Sequence, residues 1–260
     1  MFLIIFIFLS LAIIPMITAG VATILGKYTS RKLIYTFSEG AQVTLGGLGV
    51  IVHELGHAIF ALIFSHHITH ITLLSPKFKQ TGYLGSVEQT YNPHNLWADF
   101  GNFFIGLAPF YFVSSFLWFM QKLLVGNPFP VKSLAISSSL FLKQGFLTQT
   151  GQFLKTDLSL TFSQFPSWQF FIYLILVLMC ASTGYDLSKA DWQGIFHGFV
   201  YYAGILVIFF LAVYILNIQV KVIPFLWLVL FVSFLFLIRA LVFISLALVV
   251  IYLFSLIRIF

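Results

Sequence analysis

Gly46-Gly-Leu-Gly-Val-Ile-Val-His53-Glu54-Leu-Gly56-His57-Ala-Ile-Phe-Ala-Leu-Ile63 is an apolar stretch with two imidazoles and a carboxylate at its centre. Its length and composition predict a helix inside a membrane. A helix brings residues i and i+4 onto one face, so His53 and His57 can point two ring nitrogens at one metal ion. Glu54 lies beside them, placed to take a proton from a metal-activated water. The plainer alternative is a satisfied His pair that stabilises a helix bundle. The chain has seven His and only three Glu (Glu39, Glu54, Glu88). Ionisable side chains are costly in a bilayer and mark function by default. Three of them in five residues favour a site.

The surroundings agree. Hydrophobic residues make up 60% of the chain and charged residues 8%. Soluble domains carry about 25% charged residues. The fold class expected is therefore an all-α polytopic membrane protein with six or seven transmembrane helices. Apolar runs fall at about 2–25, 41–64, 100–121, 168–183 and 198–217. The last, 222–257, is either two crossings broken near Arg239 or one long tilted helix. The first run lacks a basic segment before it and is read as a retained helix rather than a signal peptide. Gly46, Gly47 and Gly49 would let neighbouring helices come close. The polar segment 66–98 alternates at His70-Ile-Thr-Leu73 and has turn residues at Gly82 and Gly85, so a short β-hairpin is expected after the motif helix. Interfacial helices are expected in 122–167.

The whole chain, 1–260, reads as one integral-membrane domain, with a metal-binding core at about 41–197 and C-terminal helices at about 198–260. The net charge of +6 is assigned to cytoplasmic loops, with no Arg-rich run to suggest nucleic acid. The Lys and Arg balance puts the N-terminus outside. A single cysteine, Cys180, excludes an intrachain disulfide. Glu39 and Gln42 are expected to face the headgroups. His66, His67 and His70 are read as interfacial, His197 as a partner for a metal ligand or a bystander, and Arg239 as snorkelling or internally paired.

Catalytic zinc takes three protein ligands and a water. The extended soluble pattern would need Gly at Phe60 and His at Ile63, so that class is excluded. A membrane class with a later Glu ligand fits poorly, because Glu88 is the only Glu downstream and lies in the polar segment. Asp186 and Asp191 sit in a polar interruption between apolar runs, and one of them can reach the metal from a neighbouring helix.

An HExxH motif in an early membrane helix with an Asp from a later one resembles the site-2 protease class of intramembrane zinc metalloproteases. Gly106-Leu-Ala-Pro109 looks like the Gly-Pro element in the helix after the motif. The strand-like stretch ending near Gly82 to Val87 also resembles the family's layout. Leu187-Ser-Lys-Ala-Asp191-Trp-Gln-Gly194 looks like the Leu-Ser-x-Ala-Asp-x-x-Gly pattern of small bacterial members, which makes Asp191 the ligand and Asp186 the runner-up. The Asn-Pro-x-x-Asp-Gly arrangement of better-known members is absent, and no loop is long enough for a PDZ domain.

The resemblance implies a zinc-dependent intramembrane endopeptidase in a bacterial cytoplasmic membrane. It would hold one Zn²⁺ on His53, His57 and Asp191, use Glu54 as the proton carrier, and act on membrane-spanning proteins or peptides. Asn102 would contact substrate backbone or the oxyanion, or else bond between helices. The rival reading is a non-catalytic membrane scaffold or degenerate protease that binds a partner helix. A transporter is a third, without visible repeats.

Overall fold

The computed structural model describes residues 2–75, 80, 83–126 and 146–257. Eight helices and one antiparallel hairpin follow in chain order. They are α1 (Phe2–Thr36, with a π-helical turn at Leu9–Ile13), α2 (Gly40–Thr44) and α3 (Gly47–Ile63), then β1 (His67–Thr72) and β2 (Ser86–Thr90). Next come α4 (Leu96–Leu124), α5 (Phe146–Ser163), α6 (Trp168–Thr183), α7 (Lys189–Ile215) and α8 (Gln219–Ile257).

Four of these, α1, α4, α7 and α8, are long and apolar enough to cross a membrane. By length and composition the chain is an integral membrane protein. The runs at 41–64 and 168–183 form shorter helices of 17 and 16 residues. The final run is one continuous helix of 39 residues; Arg239 does not break it. Helix α1 carries on past its apolar run to Thr36, because Lys27, Arg31 and Lys32 can extend their charged ends from a helix whose stem stays in contact with apolar groups. Val200, Ile208 and Ile215 of α7 are exposed, as a helix facing lipid requires.

Side-chain caps set where helices start. Asn95 accepts from the Trp97 N–H at 3.1 Å ahead of α4, and Ser167 from the Phe170 N–H at 3.2 Å ahead of α6. Strands β1 and β2 pair from His67↔Thr90 to Thr72↔Ser86, with Thr69 as an extra residue in the register. The hairpin is the one expected, although Gly82 lies outside the described residues. So do Lys77, Lys79, Lys132 and Lys143, and with the last two much of the 122–167 connection.

The centre of the bundle is α3, held by α4 on one side and α6 on the other. Close approach explains Gly49: a Cβ there would lie 2.5 Å from Thr183 Oγ1 and 2.8 Å from the Met179 carbonyl. Thr183 Oγ1 in turn donates to the Gly46 carbonyl at 2.6 Å. Helix α7 packs along α4, which carries Asp191 to the face of α3 that bears the histidines. Gln42, expected at the headgroups, is instead buried and donates to Ser30 Oγ at 2.7 Å, because α2 tucks back against α1.

Candidate metal centre

His53 and His57 are one helical turn apart on α3, and both are buried. Their Nε2 atoms lie 3.2 Å from each other. Asp191 arrives from the first turn of α7, with Oδ1 3.1 Å from His57 Nε2 and Oδ2 3.9 Å from His53 Nε2. The three ligand atoms lie within 4.8 Å of one another, and this is the one such group of three or more among the described residues. Zinc–nitrogen and zinc–oxygen bonds of about 2.0–2.1 Å separate tetrahedral ligands by about 3.3 Å, so the two shorter distances fit the ion.

The chemistry of the donors fits as well. His53 Nδ1 faces the Gly184 carbonyl at 3.1 Å, and His57 Nδ1 faces the Ile105 carbonyl at 2.9 Å. A carbonyl oxygen only accepts, so each ring carries its proton on Nδ1. In the neutral ring each Nε2 then offers a lone pair. Two lone pairs and a carboxylate oxygen, all acceptors, point at one another in a buried place. A divalent cation satisfies all three at once, which is how metal-binding imidazoles are oriented.

Asp191 is fixed by local sequence. Ser188 is the N-cap of α7: its Oγ accepts from the Asp191 N–H at 3.1 Å, and the Ser188 N–H donates to Asp191 Oδ2 at 2.6 Å. This capping box turns Oδ1 towards the histidines. Asp186 stands elsewhere. It lies in the turn between α6 and α7 and feels the charges of Lys27 and Arg31 on α1; burial pushes its carboxyl up to about 6 against those two cations. It is not in the His–His–Asp group.

A cavity of about 270 Å³ opens on the group, lined by Glu54, Asn102, Gly106 and the start of β2 among others. Gly85, just before β2, rests on Glu54: a Cβ there would lie 2.6 Å from Glu54 Cγ and 2.9 Å from its Oε1. Only a residue without a side chain lets β2 close over this carboxylate. The cavity wall at Ser86, Val87 and Gln89 belongs to a strand with one partner, β1, so its other edge has no strand among the described residues. Asn102 turns its amide nitrogen to the Ala98 carbonyl at 3.4 Å.

Beside the cavity lies a second polar cluster that the sequence reading missed. His197 Nε2 is 3.2 Å from Asp99 Oδ1, so its partner is Asp99 and not a metal ligand. The Tyr91 hydroxyl is 3.4 Å from the same nitrogen, with Asn102 and Asp99 close by. His66 is buried within the protein: its Nε2 faces the Ala98 carbonyl at 3.0 Å and its ring packs on Tyr91 at 4.4 Å. The cluster ties the exit of β2 to α4 and α7. A polar residue four positions before Phe103 on α4 and one on α7 six positions after Asp191 were the available signals, and neither repeats at a motif spacing.

Comparison with family models, with curated proteins and with solved structures finds no match for this chain.

Proposed function

We propose that this chain is a zinc-dependent intramembrane endopeptidase, similar in kind to the small bacterial site-2 proteases and acting on membrane-spanning proteins or peptides. The observation that carries the reading is the convergence of three ligand atoms beside Glu54, in a cavity walled by a strand. His53, His57 and Asp191 would hold one zinc per chain. Zinc bound there supplies Lewis acidity towards water and a peptide carbonyl.

The chain's own groups do the rest. Glu54 takes a proton from water on its carboxylate while the remaining hydroxyl adds to the peptide carbonyl carbon. As the C–N bond breaks, Glu54 gives that proton to the leaving amine nitrogen. A helical substrate hides its carbonyls in hydrogen bonds, so the segment to be cut must unwind. The edge of β2 suits such an extended segment, which would add a strand beside it. Asn102 lines the cavity with its oxygen and one N–H beyond the Ala98 bond, so it could meet substrate backbone or the oxyanion. The resemblance puts this activity in a bacterial cytoplasmic membrane.

The test is metal content and cleavage together. Detergent-purified protein should carry about one zinc per chain, in line with a three-ligand site. His57→Ala and Asp191→Ala should lose it, and Asp186→Ala should keep it. Glu54→Gln should keep zinc and the fold but fail to cut a synthetic transmembrane peptide in nanodiscs. A scaffold would tolerate that substitution. Wild-type protein that takes up no zinc, even after reloading, sinks the peptidase reading.

A further inference from the structure

Pro109 stands inside α4, a 29-residue helix that runs on unbroken past it. Proline has no N–H, so the carbonyl four residues before it receives no helical hydrogen bond, and the proline ring pushes that carbonyl outward. The residue four before Pro109 is Ile105. Its carbonyl is the one that accepts from His57 Nδ1, at 2.9 Å.

The two facts meet at one atom. We infer that Pro109 is a positioning residue for the metal centre: by withholding an N–H from the Ile105 carbonyl, it leaves that oxygen to orient His57. An acceptor already engaged by a helix N–H would be a weaker and worse-aimed partner for the ring. Gly56 completes the arrangement. A Cβ there would lie 3.0 Å from Phe112 Cβ and 3.4 Å from the Ala108 carbonyl, so its absence lets α3 lie against α4 at the level of the proline. The other imidazole uses the same kind of acceptor. His53 Nδ1 faces the carbonyl of Gly184, the C-cap of α6, where the helix has ended and carbonyls lack partners. Both rings are thus held by carbonyls that no helix is using.

This inference rests on the group being a zinc site, and it concerns zinc binding rather than turnover. The experiment compares wild type with Pro109→Ala and Pro109→Gly, both of which restore the N–H, and with Pro224→Ala, which relieves the proline inside α8. Zinc affinity is measured by competition with a chromophoric chelator. The ¹⁵N signal of His57 Nδ1 is followed in histidine-labelled protein, and thermal unfolding is recorded for the zinc-free forms.

Both Pro109 variants should bind zinc about tenfold or more weakly, the loss that follows when a ligand's hydrogen-bond partner is disturbed. The His57 Nδ1 signal should move, while zinc-free stability holds or rises because a helix gains a hydrogen bond. Weaker zinc in a variant that is no less stable is a pattern that a purely structural role for the proline cannot give. Unchanged zinc affinity in both Pro109 variants overturns the inference. So does an equal weakening in Pro224→Ala, which would make it a general effect of helix prolines. Wild type that binds no zinc breaks the zinc reading itself, a different outcome from zinc bound equally by all forms.

Discussion

Two of the buried polar groups in this bundle are built on opposite plans. In one, Arg239 of α8 pairs with Asp157 of α5, Nε to Oδ2 at 3.0 Å. Gln121 Nε2 donates to the other oxygen of Asp157 at 2.5 Å, and Arg239 also reaches Gln121 Oε1 and the Tyr173 hydroxyl. Cation meets anion inside the bundle. In the other, His53, His57 and Asp191 turn atoms that can ligate a metal towards one another, and a cavity opens on the result. A polar network of paired charges holds helices together. One that opens on a cavity leaves room for a ligand.

That contrast can be broken. If the Arg239 network is a staple, Asp157→Ala leaves a buried guanidinium uncompensated and should cost about 3–5 kcal/mol of stability. Zinc affinity in the protein that does fold should be unchanged. Replacing both partners, Arg239→Met with Asp157→Leu, should recover much of the loss in thermal or denaturant unfolding. A single variant that stays stable but loses zinc would put the network inside the functional unit.

The next effect is smaller and belongs to the open group alone. Gly85→Val places a side chain where Glu54 stands. Peptide cleavage should fall by up to about a hundredfold through misplacement of the carboxylate, with zinc stoichiometry unaltered. Zinc lost together with activity would mean that the hairpin supports the metal and not Glu54. Smallest of all, Tyr91→Phe removes one hydroxyl from the Asp99–His197 cluster and should cost about 1 kcal/mol. Hydrogen exchange should quicken in β2 and not in α3. Equal exchange in both would show that the tyrosine does not fix the strand.

The open group was more legible than the paired one. His53, Glu54 and His57 share one helical turn, so a local pattern announces them. Asp191 was within reach because it lies in a polar interruption between apolar runs, and the resemblance preferred it to Asp186; the helix start at Ser188 is what aims its carboxylate. The hairpin showed in its alternation. The Arg239–Asp157 pair could not be read, because nothing local connects α5 to α8. Internal pairing was one of the two readings of Arg239, and one long helix one of the two readings of 222–257, but Asp157 carried no local signal that named it as the partner. Asp99, Tyr91 and His197 were hidden for the same reason: each is unremarkable on its own element, and only the packing of α4 against α7 brings them together. The length of α1 escaped because its cations follow the apolar run, although long basic side chains tolerate that position well.

The shortness of α3 reaches beyond the bundle. Seventeen residues rise only about 26 Å, and the hydrocarbon layer of a bilayer is about 30 Å thick. The hairpin begins within four residues of the end of α3. A bilayer matched to this helix would be thinner than one matched to the 29-residue α4 or the 39-residue α8, so peptide cleavage in nanodiscs should change with lipid chain length.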